Sequence, residues 1–153
     1  MEQLNEAKKD YPITSHTTEH ILNQTMVRMF GCDRSRNAHI ERKKSKCDYL
    51  LTQSPSEEEV QAIERKVNEV INQHLAVTIE VVNKSDAERE VDLTHLPAEA
   101  QSLSIVRLVR IGDYDVCPCI GAHVNNTSEI GTFTITSHSF ENGIWRVRWK
   151  VEK

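Results

Sequence analysis

No apolar run in this chain of 153 residues approaches the about 20 consecutive apolar residues that a membrane-spanning helix needs. The opening Met1-Glu2-Gln3-Leu4-Asn5-Glu6 lacks the apolar core of a signal peptide. Four cysteines, Cys32, Cys47, Cys117 and Cys119, form no secreted disulfide framework. Together these absences point to the cytoplasm, where thiols stay reduced. There is no internal repeat, linker or low-complexity tract, so the length fits one domain over residues 1–153, large enough to bury a core. An overall excess of positive charge is also lacking. The net charge is −4, which is awkward for a nucleic-acid reader because phosphate neutralisation normally supplies much of the affinity. The basic residues are nonetheless gathered: Arg34, Arg36, Arg42, Lys43, Lys44 and Lys46 in one block, Arg107 and Arg110 in a second, and Arg146, Arg148 and Lys150 in a third. A local basic face is compatible with the acidic total, and so is a merely solvated charge run.

What is present reads as alternating helices and strands. Residues 1–12 are polar, end at Pro12, and read as a short lead-in strand or arm. Thr14 or Ser15 is expected to cap a helix whose apolar face, Ile21, Leu22, Thr25, Met26, Met29 and Phe30, recurs at three and four, with Gly31 ending it. Residues 37–52 read as two strands around a polar turn at Arg42–Lys46. Ser56 with Glu59 makes a capping box, opening a helix with the stripe Val60, Ile63, Val67, Val70 and Ile71, which is core. Val77–Val82 is β-branched enough for a strand, Ser85–Val91 predicts a short helix capped by Ser85 and Glu88, and Pro97 marks a turn. Ser104–Ile111, Gly131–Thr136 and Ile144–Val151 read as strands. The last alternates Trp145, Val147 and Trp149 against Arg146, Arg148 and Lys150, which predicts a half-buried strand. The sum is an α+β domain with a mostly antiparallel sheet packed by two longer helices.

Two short motifs carry chemistry. His16-Thr17-Thr18-Glu19-His20 places two imidazoles four apart, one above the other on a helix face. Cys119-Ile120-Gly121-Ala122-His123 places a thiol and an imidazole at the same spacing in a turn-rich stretch, where Gly121 lets the backbone curl. Two histidines four apart on a helix are ordinarily just helical residues; a complementary Cys-x-x-x-His in the same small domain changes that. Three imidazoles and one thiolate make a tetrahedral ligand set suited to zinc. Cys117, two residues before Cys119, is either a competing ligand or an ordinary thiol.

His-Thr-x-x-His before an apolar helix, then Cys-x-x-x-His followed by Thr127-Ser128-Glu129-Ile130-Gly131, resembles the editing domain of alanyl-tRNA synthetases and, more closely, the free-standing AlaX proteins related to it. The resemblance keeps its order over nearly the whole chain: Cys47-Asp48-Tyr49 on a short strand, Ser54-Pro55-Ser56-Glu57-Glu58 opening the long helix, and Val106-Arg107 leading to the second ligand pair. It implies the fold of the threonyl- and alanyl-tRNA synthetase editing domains. It also implies a hydrolase holding one Zn2+ per chain on His16, His20, Cys119 and His123, acting on mischarged tRNA(Ala), with Ser-tRNA(Ala) the usual target, and no membrane or DNA partner. Thr17, Thr127 and Ser128 become candidate pocket residues, Thr127 and Ser128 equally a simple turn. Arg34, Arg36, Arg42, Lys43 and Lys44 become candidate tRNA contacts. Asn37 stands where short family members place a threonine that meets the serine hydroxyl; an amide also donates and accepts. With so few residues before His16, the chain matches the short class, without the barrel-like domain and glycine-rich motif of longer members.

The bond broken would be an activated ester, so a positioned water and a polarised carbonyl suffice without a nucleophilic side chain. Four protein ligands ordinarily describe a closed, structural zinc site. A loose ligand, a five-coordinate ion, or an ion acting as an electrostatic anchor each reconcile that with catalysis, and the general base is not assigned. Two other functions fit the residues: a non-catalytic zinc-stapled module that binds tRNA or protein, and a hydrolase of another aminoacyl ester.

Overall fold

Trp145, Val147, Trp149 and Val151 alternate with Arg146, Arg148 and Lys150 along one strand, and the four apolar side chains are buried. Around that strand the computed structural model describes residues 12–91, 93 and 104–153. Its elements run α1 (Ile13–Phe30), β1 (Asn37–His39), β2 (Ser45–Leu50), α2 (Glu57–Ile71), β3 (Val77–Asn83), α3 (Lys84–Glu88), β4 (Ile105–Ile111), β5 (Asp115–Pro118), β6 (Thr132–Glu141) and β7 (Ile144–Glu152). A 3-10 turn covers Thr127–Glu129. The strands form two antiparallel sheets, ordered β1-β2-β7-β6 and β3-β4-β5. This is the expected α+β architecture with two longer helices, its sheet divided in two.

The main core lies between the four-stranded sheet and the two long helices. Trp145, Trp149, Tyr49, Cys47 and Phe133 meet Ile21, Leu22 and Met26 of α1 and the Val60-Ile63-Val67-Val70-Ile71 stripe of α2. A smaller cluster, Ala87, Leu93, Val106 and Leu108, joins α3 to the far face of β4. Alternation along β4 thus sends Val109 and Ile111 to the main core and Val106 and Leu108 away from it.

The capping box of α2 forms as its sequence predicts: Glu59 N–H donates to Ser56 Oγ (3.1 Å) and Ser56 N–H to Glu59 Oε1 (2.8 Å). Gly31 closes α1 in the left-handed region, φ 67°, donating to Val27 O. Four readings need correction. α1 begins at Ile13 with Pro12 at its N-cap, so Thr14 and Ser15 lie inside the helix, and no side chain caps it. α3 begins at Lys84 on Asn83, so Ser85 is not its cap. β6 runs on to Glu141, because a register shift between Ile135 and Ser137 breaks the alternation at Thr136 where the strand was expected to stop. β5 was not anticipated at all. The expected lead-in before Pro12 and the turn at Pro97 lie outside the described residues. Among the described residues, no helix is long and apolar enough to cross a membrane.

Candidate metal centre

The first turns of α1 carry His16 and His20 inward, both buried. The chain leaving β5 carries Cys119 and His123 to meet them. One ligand atom from each residue lies within 4.8 Å of every other. His16 and His123 stack at 4.1 Å between ring centroids, and His20 stands edge-on to both, at 5.2 and 4.5 Å. Gly121 is needed here for space: its φ is ordinary, but a Cβ would sit 2.3 Å from His16 Cε1. The close approach, rather than the expected backbone curl, is what excludes a side chain. Arg107 on β4 pins the loop, donating through Nη1 to Cys119 O (2.7 Å) and Gly121 O (2.8 Å).

The rings are oriented by hydrogen bonds behind them. His16 Nδ1 donates to Ala122 O at 2.9 Å; a carbonyl only accepts, so the proton is on Nδ1 and Nε2 carries the lone pair, 3.4 Å from Cys119 Sγ. His123 Nδ1 bonds Thr17 Oγ1 at 2.9 Å, and that hydroxyl also accepts from Val124 N–H at 3.2 Å. His123 Nε2 is buried with no hydrogen-bond partner among the described residues. Zinc bonds of about 2.0–2.1 Å to nitrogen and 2.3 Å to sulfur place tetrahedral donors roughly 3.3–3.6 Å apart. The His16–Cys119 pair already has that spacing, and a pair at the 4.8 Å limit needs roughly 1.2–1.5 Å of adjustment. The unpartnered Nε2 of His123, the Cys119 thiol beside His16 Nε2, and Nδ1 atoms of His16 and His123 engaged behind the rings fit a zinc ion.

Burial keeps the ligands in the forms a cation would find. It lowers His16 and lowers His20 well below the imidazole range, with His123, Arg34 and His16 adding to the effect on His20. Burial first, then His16 and Arg107, bring His123 down to about 3. Burial raises the Cys119 thiol, so cation binding there must displace its proton. Cys117 lies outside the quartet; burial pushes its thiol up to about 12, and it donates to Pro118 O. Beside the ligands, burial pushes the Glu19 carboxyl up to about 7 against the opposing pull of Arg34 and Asn23.

The other candidate residues separate into inside and outside positions. Thr17 is fully buried and acts on His123. Thr127 is fully buried too: its hydroxyl donates to Ile71 O (2.9 Å) and accepts from Leu75 N–H (2.9 Å), tying the end of α2 to the following segments. Its turn reading is therefore the one its contacts match. Ser128 is exposed, and Asn37 is exposed at the start of β1 opposite Asp48. Arg36, Arg42, Lys43 and Lys44 are exposed. Arg34 differs from them, because it grips Asp115 at 2.8 and 3.2 Å. Arg110 is paired with Glu80 and Glu90, and Arg146 with Asp48. Asp115, Gln24 and Arg107 were missed as site residues. For Asp115 the sequence carried no local signal, because β5 is only four residues long.

Residues 106–148, which include the β4–β5 hairpin, Cys119 and His123, match the family described as threonyl and alanyl tRNA synthetase second additional domain. Alanine–tRNA ligases match over a longer stretch. That of Oceanobacillus iheyensis is 34% identical over 145 residues, 94% of this chain and 16% of the ligase. The enzyme of Fervidobacterium nodosum is 31% identical over 138 residues, 90% of this chain and 16% of the ligase. The enzyme of Hyperthermus butylicus is 33% identical over 134 residues, 86% of this chain and 14% of the ligase. The chain thus spans about a sixth of the length of the relatives it matches. Its two-layer fold, its inward-facing quartet and these matches together make it a member of the family of the second additional domain shared by threonyl- and alanyl-tRNA synthetases.

Proposed function

We propose that this protein is a zinc-dependent hydrolase that edits mischarged tRNA(Ala) in trans, with the serine ester as its first substrate. The observation that carries the reading is the convergence of His16, His20, Cys119 and His123 within 4.8 Å in a chain of this family. Zinc held by these four residues would supply a positive charge able to polarise an ester carbonyl towards attack by water.

The rest of the site is the chain's own work. Thr17 and the Ala122 carbonyl hold His123 and His16 by their Nδ1 atoms, so that their Nε2 atoms face inward. Arg107 keeps the Cys119–His123 loop closed and places a guanidinium charge beside it. His16 and His20 form the buried floor, while Cys119 and His123 are half-buried, so a substrate approaches from the loop side. The exposed cations Arg36, Arg42, Lys43 and Lys44 are the RNA contacts this reading assigns, giving a local basic face on an acidic protein. Asn37 is the residue assigned to the serine hydroxyl; a site that hydrogen-bonds a hydroxyl rejects the analogue lacking it by far more than a methyl-sized pocket does.

The test is deacylation of Ser-tRNA(Ala) and Ala-tRNA(Ala) by zinc-loaded protein and by His20→Ala. The expected result is loss of serine, retention of alanine, and no activity in the variant. A second reading, a zinc-stapled binding module, is favoured by the presence of four protein donors, which describes a closed site. It prevails if protein shown to hold one zinc hydrolyses neither ester.

A further inference from the structure

Behind the three imidazoles, two Nδ1 atoms have hydrogen-bond partners and one does not. His16 and His123 are bonded at 2.9 Å each. His20 Nδ1 is buried with no hydrogen-bond partner among the described residues, and it faces Asp115 Oδ2 across 3.8 Å. The Asp115 carboxylate is wholly enclosed. Gln24 Nε2 donates to its Oδ1 at 2.9 Å, Arg34 Nη1 to Oδ1 at 2.8 Å, and Arg34 Nη2 to Oδ2 at 3.2 Å. Three donors thus converge on the carboxylate, and the shorter two engage Oδ1. Oδ2 has the remaining acceptor capacity, on the side of His20. An enclosed carboxylate that served only to neutralise Arg34 would need neither the Gln24 amide nor a place beside an imidazole.

We propose that Asp115 is a positioning residue of the metal centre: it takes the Nδ1–H of His20, fixing the tautomer whose Nε2 lone pair faces His16, Cys119 and His123, while Gln24 and Arg34 hold the carboxylate in place. The inference rests on the metal reading of the quartet. Without an acceptor at Nδ1, a neutral imidazole divides between two tautomers, only one of which offers Nε2. A carboxylate at Nδ1 removes that loss and makes the ligand more basic. β5 and its continuation then supply both a ligand, Cys119, and the orienter of a ligand four residues earlier. α1 supplies both His20 and, one turn on, the Gln24 that anchors the orienter.

Two measurements test this on the whole 153-residue chain. In the metal-free state near neutral pH, long-range 1H–15N correlation of labelled histidine should show His20 protonated at Nδ1, and Asp115→Asn should shift it to a mixture of tautomers. In competition with a chromophoric chelator, Asp115→Asn should bind zinc about 10–100-fold more weakly than wild type. Gln24→Leu keeps the ion pair and serves if Asp115→Asn does not fold; it should weaken zinc in the same direction by a smaller factor. An ion pair with a purely structural role would lower the melting temperature and move neither the tautomer nor the folded protein's zinc affinity. The proposal is overturned if His20 carries its proton on Nε2, or if folded Asp115→Asn binds zinc within about twofold of a zinc-binding wild type. A wild type that takes up no zinc, yet shows Nδ1–H on His20 and loses it in Asp115→Asn, retires the metal reading and leaves Asp115's hold on the tautomer standing.

Discussion

α1 and α2 have 18 and 15 residues, pack against the same core, and differ in what they bury. α2 buries only Val60, Ile63, Val67, Val70 and Ile71, with a reciprocal cap and three glutamates in its first turn, where the helix dipole favours negative charge. α1 buries Ile21, Leu22 and Met26 on one side and Ser15, His16, Thr17, Thr18, His20, Asn23 and Thr25 around the rest, with no side-chain cap and no acid in its first turn. Several of those polar groups reach partners elsewhere in the fold: Asn23 accepts from Tyr49 Oη (2.6 Å), Thr25 shares a bond with Tyr114 Oη (2.7 Å), and Thr17 holds His123. One helix follows the local rules throughout, and the other breaks them where the site lies. Local inconsistency of that kind is what a functional element looks like from its sequence.

The largest effect should separate the helices by what each loses. Ile63→Ala leaves a cavity in the core and should lower stability by about 2–5 kcal/mol, read from the urea midpoint, with the folded protein's zinc affinity unchanged. His20→Leu should do the reverse. It abolishes zinc uptake, and the metal-free protein should stay folded within about 1 kcal/mol of wild type, because the cost of burying an imidazole and its contact with Asp115 are lost together. If His20→Leu unfolds the metal-free chain, the polar face of α1 is structural and the contrast between the helices collapses.

Acidification sharpens the same contrast. His123 is held down at about 3 from an ordinary 6.5, by burial first and then by His16 and Arg107, and burial lowers His16 and His20 as well. Between those values the unfolded chain binds protons that the folded chain refuses. The stability tied to neutral imidazoles is therefore complete above about 6.5 and is lost progressively as pH falls toward 3. Urea midpoints of metal-free protein should decline through that window, and the decline should be shallower in His20→Leu. Equal slopes in the two proteins would mean that His20 is already protonated in the folded state.

How much of this was legible follows from which rules each segment obeys. α2 and β7 were readable because each buries one apolar face, so its periodicity shows in the residues. The quartet was readable as two i, i+4 pairs. α1 began earlier than its polar residues suggested: Thr14 and Ser15 look like caps, yet Pro12, at φ −72° and ψ 115°, already turns the chain into the helix, and Ser15 points inward. β5 is four residues ending in Pro118, too short to show a period. The division into two sheets depends on register between distant strands, which no local pattern encodes. Arg34 reads as one more cation in a basic run; only the fold reveals Asp115 beneath it, 81 positions away. Thr127 likewise looks like a pocket hydroxyl until its bonds to Ile71 and Leu75 are seen.

The smallest effect lies at the helix starts. Ser56→Ala removes the acceptor for Glu59 N–H and leaves the reciprocal bond from Ser56 N–H to Glu59 Oε1, so about 1 kcal/mol of stability should go, with zinc affinity untouched. Thr14→Ala at the matching end of α1 removes no cap. The Thr14 group that matters is its backbone carbonyl, which accepts from Thr18 Oγ1 at 2.7 Å and survives the substitution. Its cost should stay within about 0.5 kcal/mol. Thermal or urea unfolding of the two variants side by side decides the point. Equal losses would mean that α1 is capped by Thr14 in solution, and that its start obeys the same local rule as α2 after all. A loss confined to Ser56→Ala places the whole stability of α1's first turn on its packing against the loop that carries Cys119 and His123.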